Sequence, residues 1–164
     1  MFCSFFLLEA IAPILKYEFF VNIVKRKNEK ISSIFQCNWH NTNIGRKPCK
    51  WLDVYFSGKE PNSSVKYRFE KGMPFQKQVR HLLENIAFGE TSCYGDIACS
   101  LARQIEKQKM SAQAVGKAVG ANPICIIVPC HRVVGKTGKL TGYGGGIENK
   151  KQLLLLEKTE NVKF

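Results

Sequence analysis

The spacing of apolar positions changes character near residues 71–74. Before that point the pattern is mostly extended. Tyr17 to Val24 alternates loosely, Lys25 to Lys30 has turn composition, and Ile31 to Cys37 is a second extended run, which predicts a hairpin. Lys50 to Phe56 predicts a short helix that ends at Ser57-Gly58, and Val65 to Phe69 predicts another strand. The run Met1 to Leu8 resembles the apolar part of a signal peptide, with Ala10-Ile11-Ala12 imitating a cleavage site. No Lys or Arg precedes it and Glu9 interrupts it, so it reads as a strand or packing segment.

The second part is helical in period. Phe75, Val79, Leu82, Leu83 and Ile86 lie on one face of a helix, and Gly89 follows as a terminator. Tyr94 to Ala102 predicts a second helix opened by Gly95-Asp96, and Arg103 to Met110 a basic connector. Ser111 is placed to cap a third helix, Ala112 to Val119, whose Ala112, Ala114, Gly116 and Ala118 carry almost no side chain. Such a helix suits either tight helix packing or close approach to DNA, and two helices joined by a basic connector fit a helix-turn-helix. Asn122-Pro123 marks a turn, Ile124 to Val128 predicts a buried extended strand, and Ile147 to about Lys158 a last helix with Leu153, Leu154 and Leu156 inward.

Charge and cysteine usage narrow the class. The chain has 164 residues and a formal charge of +12. The excess is spread evenly, with 12 basic and 6 acidic side chains in residues 1–71 and 13 and 7 in residues 72–164. That balance calls for a polyanionic partner without choosing between nucleic acid and an anionic membrane surface. The apolar runs are too short to span a bilayer. Seven cysteines with no CxxC pair fit a reducing compartment better than a disulfide framework. Cys37 and His40 have metal-like spacing, with Cys3 or Cys49 available to complete a zinc site, but the ligands do not form two tight pairs, which favours free thiols in or near a small core.

The chemistry concentrates at Pro129-Cys130-His131-Arg132-Val133-Val134. A cysteine becomes a nucleophile when its thiolate is stabilised, and an imidazole beside it takes the proton directly or through a water. Pro129 stiffens the approach. Arg132 adds positive potential or satisfies nearby carbonyls. Leu140 to Gly146 then forms a glycine loop around Tyr143, lacking the arrangement of a phosphate-binding loop; it is either a lid over a base pocket or a surface linker. Glu157, in the last turn among leucines, is either an exposed terminal acid or an orienting partner for the His131 ring.

These residues resemble the active-site region of the O6-alkylguanine-DNA alkyltransferases, also called methylated-DNA–protein-cysteine methyltransferases. The motifs are Asn122-Pro123, Pro129 to Val134, Gly142-Tyr143, Gly145-Gly146, Leu153-Leu154 and Glu157. Upstream the likeness takes in Phe75-Gln76, Val79, Phe88-Gly89, Thr91, Tyr94 to Ala98 and Ala114-Val115-Gly116. It covers roughly residues 72–158, with only Tyr55-Phe56-Ser57-Gly58 before that.

The resemblance implies an α+β fold: an N-terminal domain over 1–71 with a small antiparallel, ribonuclease-H-like sheet, then a mostly helical, winged-helix-like DNA-binding domain over 72–164. It implies a monomer that flips O6-alkylguanine from duplex DNA and keeps the alkyl group on its own cysteine, once, with no cofactor, metal or membrane. Its place would be the cytoplasm, or the nucleus in a eukaryote. By position, Cys130 is the acceptor, His131 the base, Glu157 its orienting partner and Asn122 the brace of the turn, while Tyr94 crowds the flipped nucleotide and protonates the departing guanine. Tyr143, Gly144, Gly145 and Val133 wall the base pocket. Ala112, Gln113, Ala114, Gly116 and Lys117 on the third helix, with Arg132 and Lys136, face DNA in the minor groove.

Three positions depart from the family pattern. Gln113 stands where an arginine is common, Arg80 near a usual tryptophan and Ala87 at a usual proline. Cys93, beside Tyr94, is expected to be inert. Competing readings are a module that binds damaged DNA without transfer, a cysteine hydrolase and a zinc-dependent DNA binder on Cys37 and His40. The presence of Cys130 favours transfer over the first, and no oxyanion hole marks the second.

Overall fold

The computed structural model describes residues 43–63, 65, 73–160 and 162–163. The predicted hairpin over 17–37, the opening apolar run, the strand beyond Val65 and the Cys37–His40 pair lie outside them. Backbone contacts divide the chain into two compact units, Met1–Val65 and Lys66–Phe164.

In the first unit, helix α1 runs Asn43–Phe56. It ends as expected: Ser57 and Gly58 turn back onto Asp53 and Tyr55 carbonyls, and Gly58 takes φ +76°. It starts seven residues earlier than the pattern predicts, because Gly45 and Pro48 are weak helix formers that interrupt the signal before Lys50. The Trp51 and Tyr55 rings stack at 5.5 Å.

The second unit is built on helices α2 (Pro74–Glu84), α3 (Tyr94–Gln104) and α4 (Ala112–Gly120), which pack on one another. Each starts where its local chemistry supplies a partner for an orphan amide. Pro74 opens α2, where a missing N–H costs nothing, and the Gln76 side chain accepts from the Met73 amide. The Cys93 thiol caps α3 by accepting from the Asp96 amide, and the Asp96 carboxylate accepts from the Cys93 amide in return. Ser111 caps α4 as expected, its hydroxyl accepting from the Ala114 amide at 3.4 Å. Val79 and Leu83, Ile97 and Leu101, and Val115 and Val119 form the shared core. Each such side chain contributes roughly 2 kcal/mol when fully buried.

Two short strands, β1 (Ser92–Cys93) and β2 (Val133–Val134), pair in parallel with Ser92 opposite Val133 and Cys93 opposite Val134. Helix α5 (Ile147–Leu156) closes the unit. Its inward face is Lys150, Leu153, Leu154 and then Glu157, at the spacing of one helical stripe.

Two expectations need correction. Ile124 to Val128 is not a strand but a pair of tight turns: Val128 N–H donates to Ile124 O, Ile127 N–H to Cys125 O, and Ile126 sits at φ +74°. The segment is apolar because it is buried, and burial alone does not distinguish strand from turn. Gly89 does not terminate α2, whose C-cap is Asn85; it serves the site, as described next.

Candidate active site

The site is assembled from both ends of the second unit. The turn after α4 presents Asn122, which is fully buried. Its side-chain amide donates to Ile124 O, Val128 O and Cys130 Sγ, each at 3.2 Å, and its carbonyl oxygen accepts from the Ile124 amide. One side chain therefore shapes the turn and touches the sulfur. Cys130, His131 and Arg132 form a single 3₁₀ turn, all three buried, and β2 leaves directly from it.

His131 Nε2 lies 2.8 Å from Glu157 Oε1. Burial lowers the His131 basicity, and the Arg132 and Lys150 charges reinforce this against the opposing pull of Glu157, so the ring is neutral near pH 7. Burial pushes the Glu157 pKa up, but the hydrogen bonds and charges of His131 and Arg132 outweigh it and hold the carboxyl at about 2. A carboxylate facing a neutral ring fixes the tautomer: Nε2–H donates to Glu157, and the basic lone pair is on Nδ1. Glu157 thereby holds the ring in one orientation.

Arg132, expected among the DNA contacts, is turned inward. Its guanidinium donates to Glu157 Oε2 at 2.9 Å, Glu157 Oε1 at 3.0 Å and Ile86 O at 2.6 Å, with the Phe88 ring 5.7 Å below. A buried carboxylate demands a cation, and the fork of Arg132 matches both oxygens. Of the two roles considered for it, satisfying a carbonyl is the one observed. Gly89 completes the cradle. At φ +79° its amide donates to Glu157 Oε2 at 3.3 Å, and an added Cβ would stand 3.2 Å from Glu157 O.

Tyr94 begins α3 immediately after β1, and β1 pairs with the strand leaving the nucleophile turn. That connection sets Tyr94 beside the site. A Cβ built on Gly116 of α4 would lie 3.7 Å from its ring, so the small residue leaves the tyrosine room. Val133 is buried, Tyr143 half-buried, Gly144 exposed and Gly145 buried, its carbonyl accepting from the Asn149 amide at 2.8 Å. On α4, Ala112, Gln113 and Lys117 are exposed, Ala114 and Gly116 half-buried, and Lys136 is exposed in the turn after β2. Arg80, expected near a usual tryptophan, is buried, and Ala87 is exposed.

Sequence reasoning missed Lys150. It is fully buried, and its ammonium donates to Val133 O and Thr141 O. Burial lowers its basicity to about 8, against the upward pull of Cys130. The signal was present: Lys150 precedes Leu153 and Leu154 by three and four residues, on the stripe that ends at Glu157. Among the described residues no group of three metal-ligating side chains occurs, and no helix is long and apolar enough to cross a membrane.

A family model described as the DNA-binding domain of 6-O-methylguanine DNA methyltransferase matches residues 74–159. A methylated-DNA–protein-cysteine methyltransferase of Methanosarcina acetivorans is 44% identical over 144 residues, 87% of this chain and 85% of the relative. One from Mycobacterium tuberculosis is 48% identical over 108 residues, 66% of this chain; the chain spans 62% of that relative's length. The crystal structure of Mycobacterium tuberculosis OGT in complex with DNA superposes with a TM-score of 0.60 at 44% identity, covering 70% of this chain and 67% of that one. The chain belongs to the methylated-DNA–protein-cysteine methyltransferase family.

Proposed function

We propose that this protein repairs DNA by taking the alkyl group from O6-alkylguanine in duplex DNA onto Cys130, irreversibly and once per molecule. The observation that carries the reading is the convergence of Asn122 and Glu157, from separate segments, on the buried turn that holds Cys130 and His131, within a chain of this family. Neutral His131 takes the thiol proton at Nδ1, directly or through a water, and Glu157 stabilises the imidazolium that forms. Asn122 donates to the sulfur and favours the thiolate. General-base help of this kind is worth about 10²–10⁴-fold in rate.

The target base leaves the stack to reach the thiol, as base-modifying proteins require. Its pocket is walled by Val133, Tyr143, Gly144 and Gly145, and Tyr94 protonates the departing guanine. The outer face of α4 enters the minor groove through Ala112, Gln113, Ala114, Gly116 and Lys117, where small side chains permit close approach, and Lys136 adds a phosphate contact. Gln113 fills the gap left by the flipped base without adding charge. The protein acts as a monomer in the cytoplasm, or the nucleus of a eukaryote, with no cofactor. Its second unit is winged-helix-like, and the small ribonuclease-H-like antiparallel sheet expected within residues 1–71 falls outside the described residues.

The test is to incubate the protein with duplex DNA bearing O6-methylguanine and weigh it by mass spectrometry. A single methyl group on Cys130, abolished by Cys130→Ala, supports transfer. Unmodified protein that retains the DNA supports damage binding alone, and repeated turnover excludes the single-use reaction.

A further inference from the structure

Thr141 ties the start of the glycine loop to the rest of the site through its carbonyl, methyl and hydroxyl. Thr141 O accepts from the buried Lys150 ammonium at 2.9 Å, and the same ammonium donates to Val133 O, three residues after the nucleophile. The Thr141 methyl packs toward Gly135, where a built Cβ would meet it at 3.5 Å. The Thr141 hydroxyl donates to the Tyr94 hydroxyl oxygen at 3.4 Å. The backbone and methyl thus fix where the hydroxyl stands, and the hydroxyl meets a phenol that begins α3.

The geometry points to Thr141 as a positioning residue that orients the Tyr94 hydroxyl for proton delivery to the departing guanine. This rests on the alkyl-transfer reading and deepens it. A hydroxyl oxygen that accepts a hydrogen bond has its own O–H aimed elsewhere, and it becomes a better donor through cooperative polarisation. With Thr141 donating, the phenol proton is left to the base pocket. The balance of the step is complete. A bond forms between Cys130 Sγ and the alkyl carbon, the bond from that carbon to guanine O6 breaks, and its electron pair passes to the guanine ring. Tyr94 supplies the proton that neutralises the ring and regains one afterwards, so the net proton gained by guanine is the one lost from the thiol. Lys150 anchors the loop that carries Thr141.

This role separates protonation of the leaving group from nucleophilicity, and a pair of reagents reads the two apart. Iodoacetamide alkylates Cys130 with iodide as the leaving group, which needs no proton. O6-methylguanine in duplex DNA needs one. Thr141→Val keeps the branched shape and removes only the hydroxyl; Thr141→Ser keeps the hydroxyl. The valine variant is expected to lower the maximal single-turnover transfer rate about tenfold, with the half-saturating DNA concentration and the iodoacetamide rate at Cys130 each within about twofold of wild type. The serine variant is expected to recover most of the transfer rate.

Transfer at the wild-type rate by Thr141→Val overturns the inference. So does a parallel fall in transfer and iodoacetamide rates, or a serine variant as slow as the valine one. If the wild-type protein itself moves no methyl group to Cys130, the alkyl-transfer reading fails and this inference falls with it, an outcome visible before any variant is compared.

Discussion

At the residue scale, Glu157 gathers partners from three separate residues. It receives His131, both arms of the Arg132 fork and the Gly89 amide. Its carboxyl is held at about 2 against an ordinary 4.5, so it stays ionised in the folded chain where the unfolded chain protonates. A depressed folded value stabilises above the unfolded value and loses that stabilisation as pH falls through the folded one. Its contribution, up to about 3 kcal/mol, is therefore complete above about pH 5 and disappears towards pH 2. His131 acts in the same direction: the unfolded chain takes up a proton near pH 6.5 that the buried ring resists, so stability also declines below that pH. Thermal melts from pH 7 to pH 3 are expected to fall steeply for the wild-type protein. Glu157→Gln is expected to start several kcal/mol lower at pH 7, because Arg132 loses its buried counterion, and to show a shallower acid limb. Parallel acid limbs for the two proteins would contradict the assignment.

At the element scale, α4 has two faces with different work. Val115, Ala118 and Val119 face the core, and Ala112, Gln113 and Lys117 face outward. Gly116 lies between, against the Tyr94 ring. An added methyl makes ordinary contact there, but a longer side chain must displace the ring or turn into the groove. Gly116→Ala is expected to leave the transfer rate within about twofold, and Gly116→Leu to reduce it at least about tenfold, with a smaller loss of thermal stability. Equal rates for the leucine variant and wild type would show that neither Tyr94 nor the groove approach depends on this small residue.

The elements also show what local pattern conveys. Ser111 as a cap, the start of α3 at Tyr94 and the end of α1 at Ser57-Gly58 were legible because capping and turn chemistry act within four residues. Ile124 to Val128 was misread as a strand because a buried turn and a buried strand share apolar composition. What bends it is Asn122, whose amide holds both Ile124 O and Val128 O.

At the scale of the whole molecule, the charge of +12 and the neutrality of the reacting ring divide two kinds of recognition. On the proposed reading, exposed lysines supply affinity for phosphates with little sequence information. The reacting groups are buried, where solvent charge is distant. If the protein neutralises about four phosphates, binding to undamaged duplex DNA should weaken about 100-fold over a fourfold rise in salt, from a slope of about −0.9 per phosphate. Fluorescence anisotropy across a salt series measures this directly. A flat salt response would remove the electrostatic role assigned to the charge.

The sequence by itself determined the family and the helices of the second unit, and it nominated the Pro129–Val134 motif, since motif spacing and helical period are properties of neighbouring residues. It also nominated Glu157 beside His131, while leaving open whether that acid was exposed. Tertiary structure decided the rest. It turned Arg132 from a groove contact into the counterion of Glu157, buried Lys150 under the glycine loop and brought Thr141 to Tyr94. The physical reason is common to all three. Where a charged or hydroxyl group finds its partner depends on which distant segments share its burial, and a buried polar group goes wherever its hydrogen bonds can be satisfied.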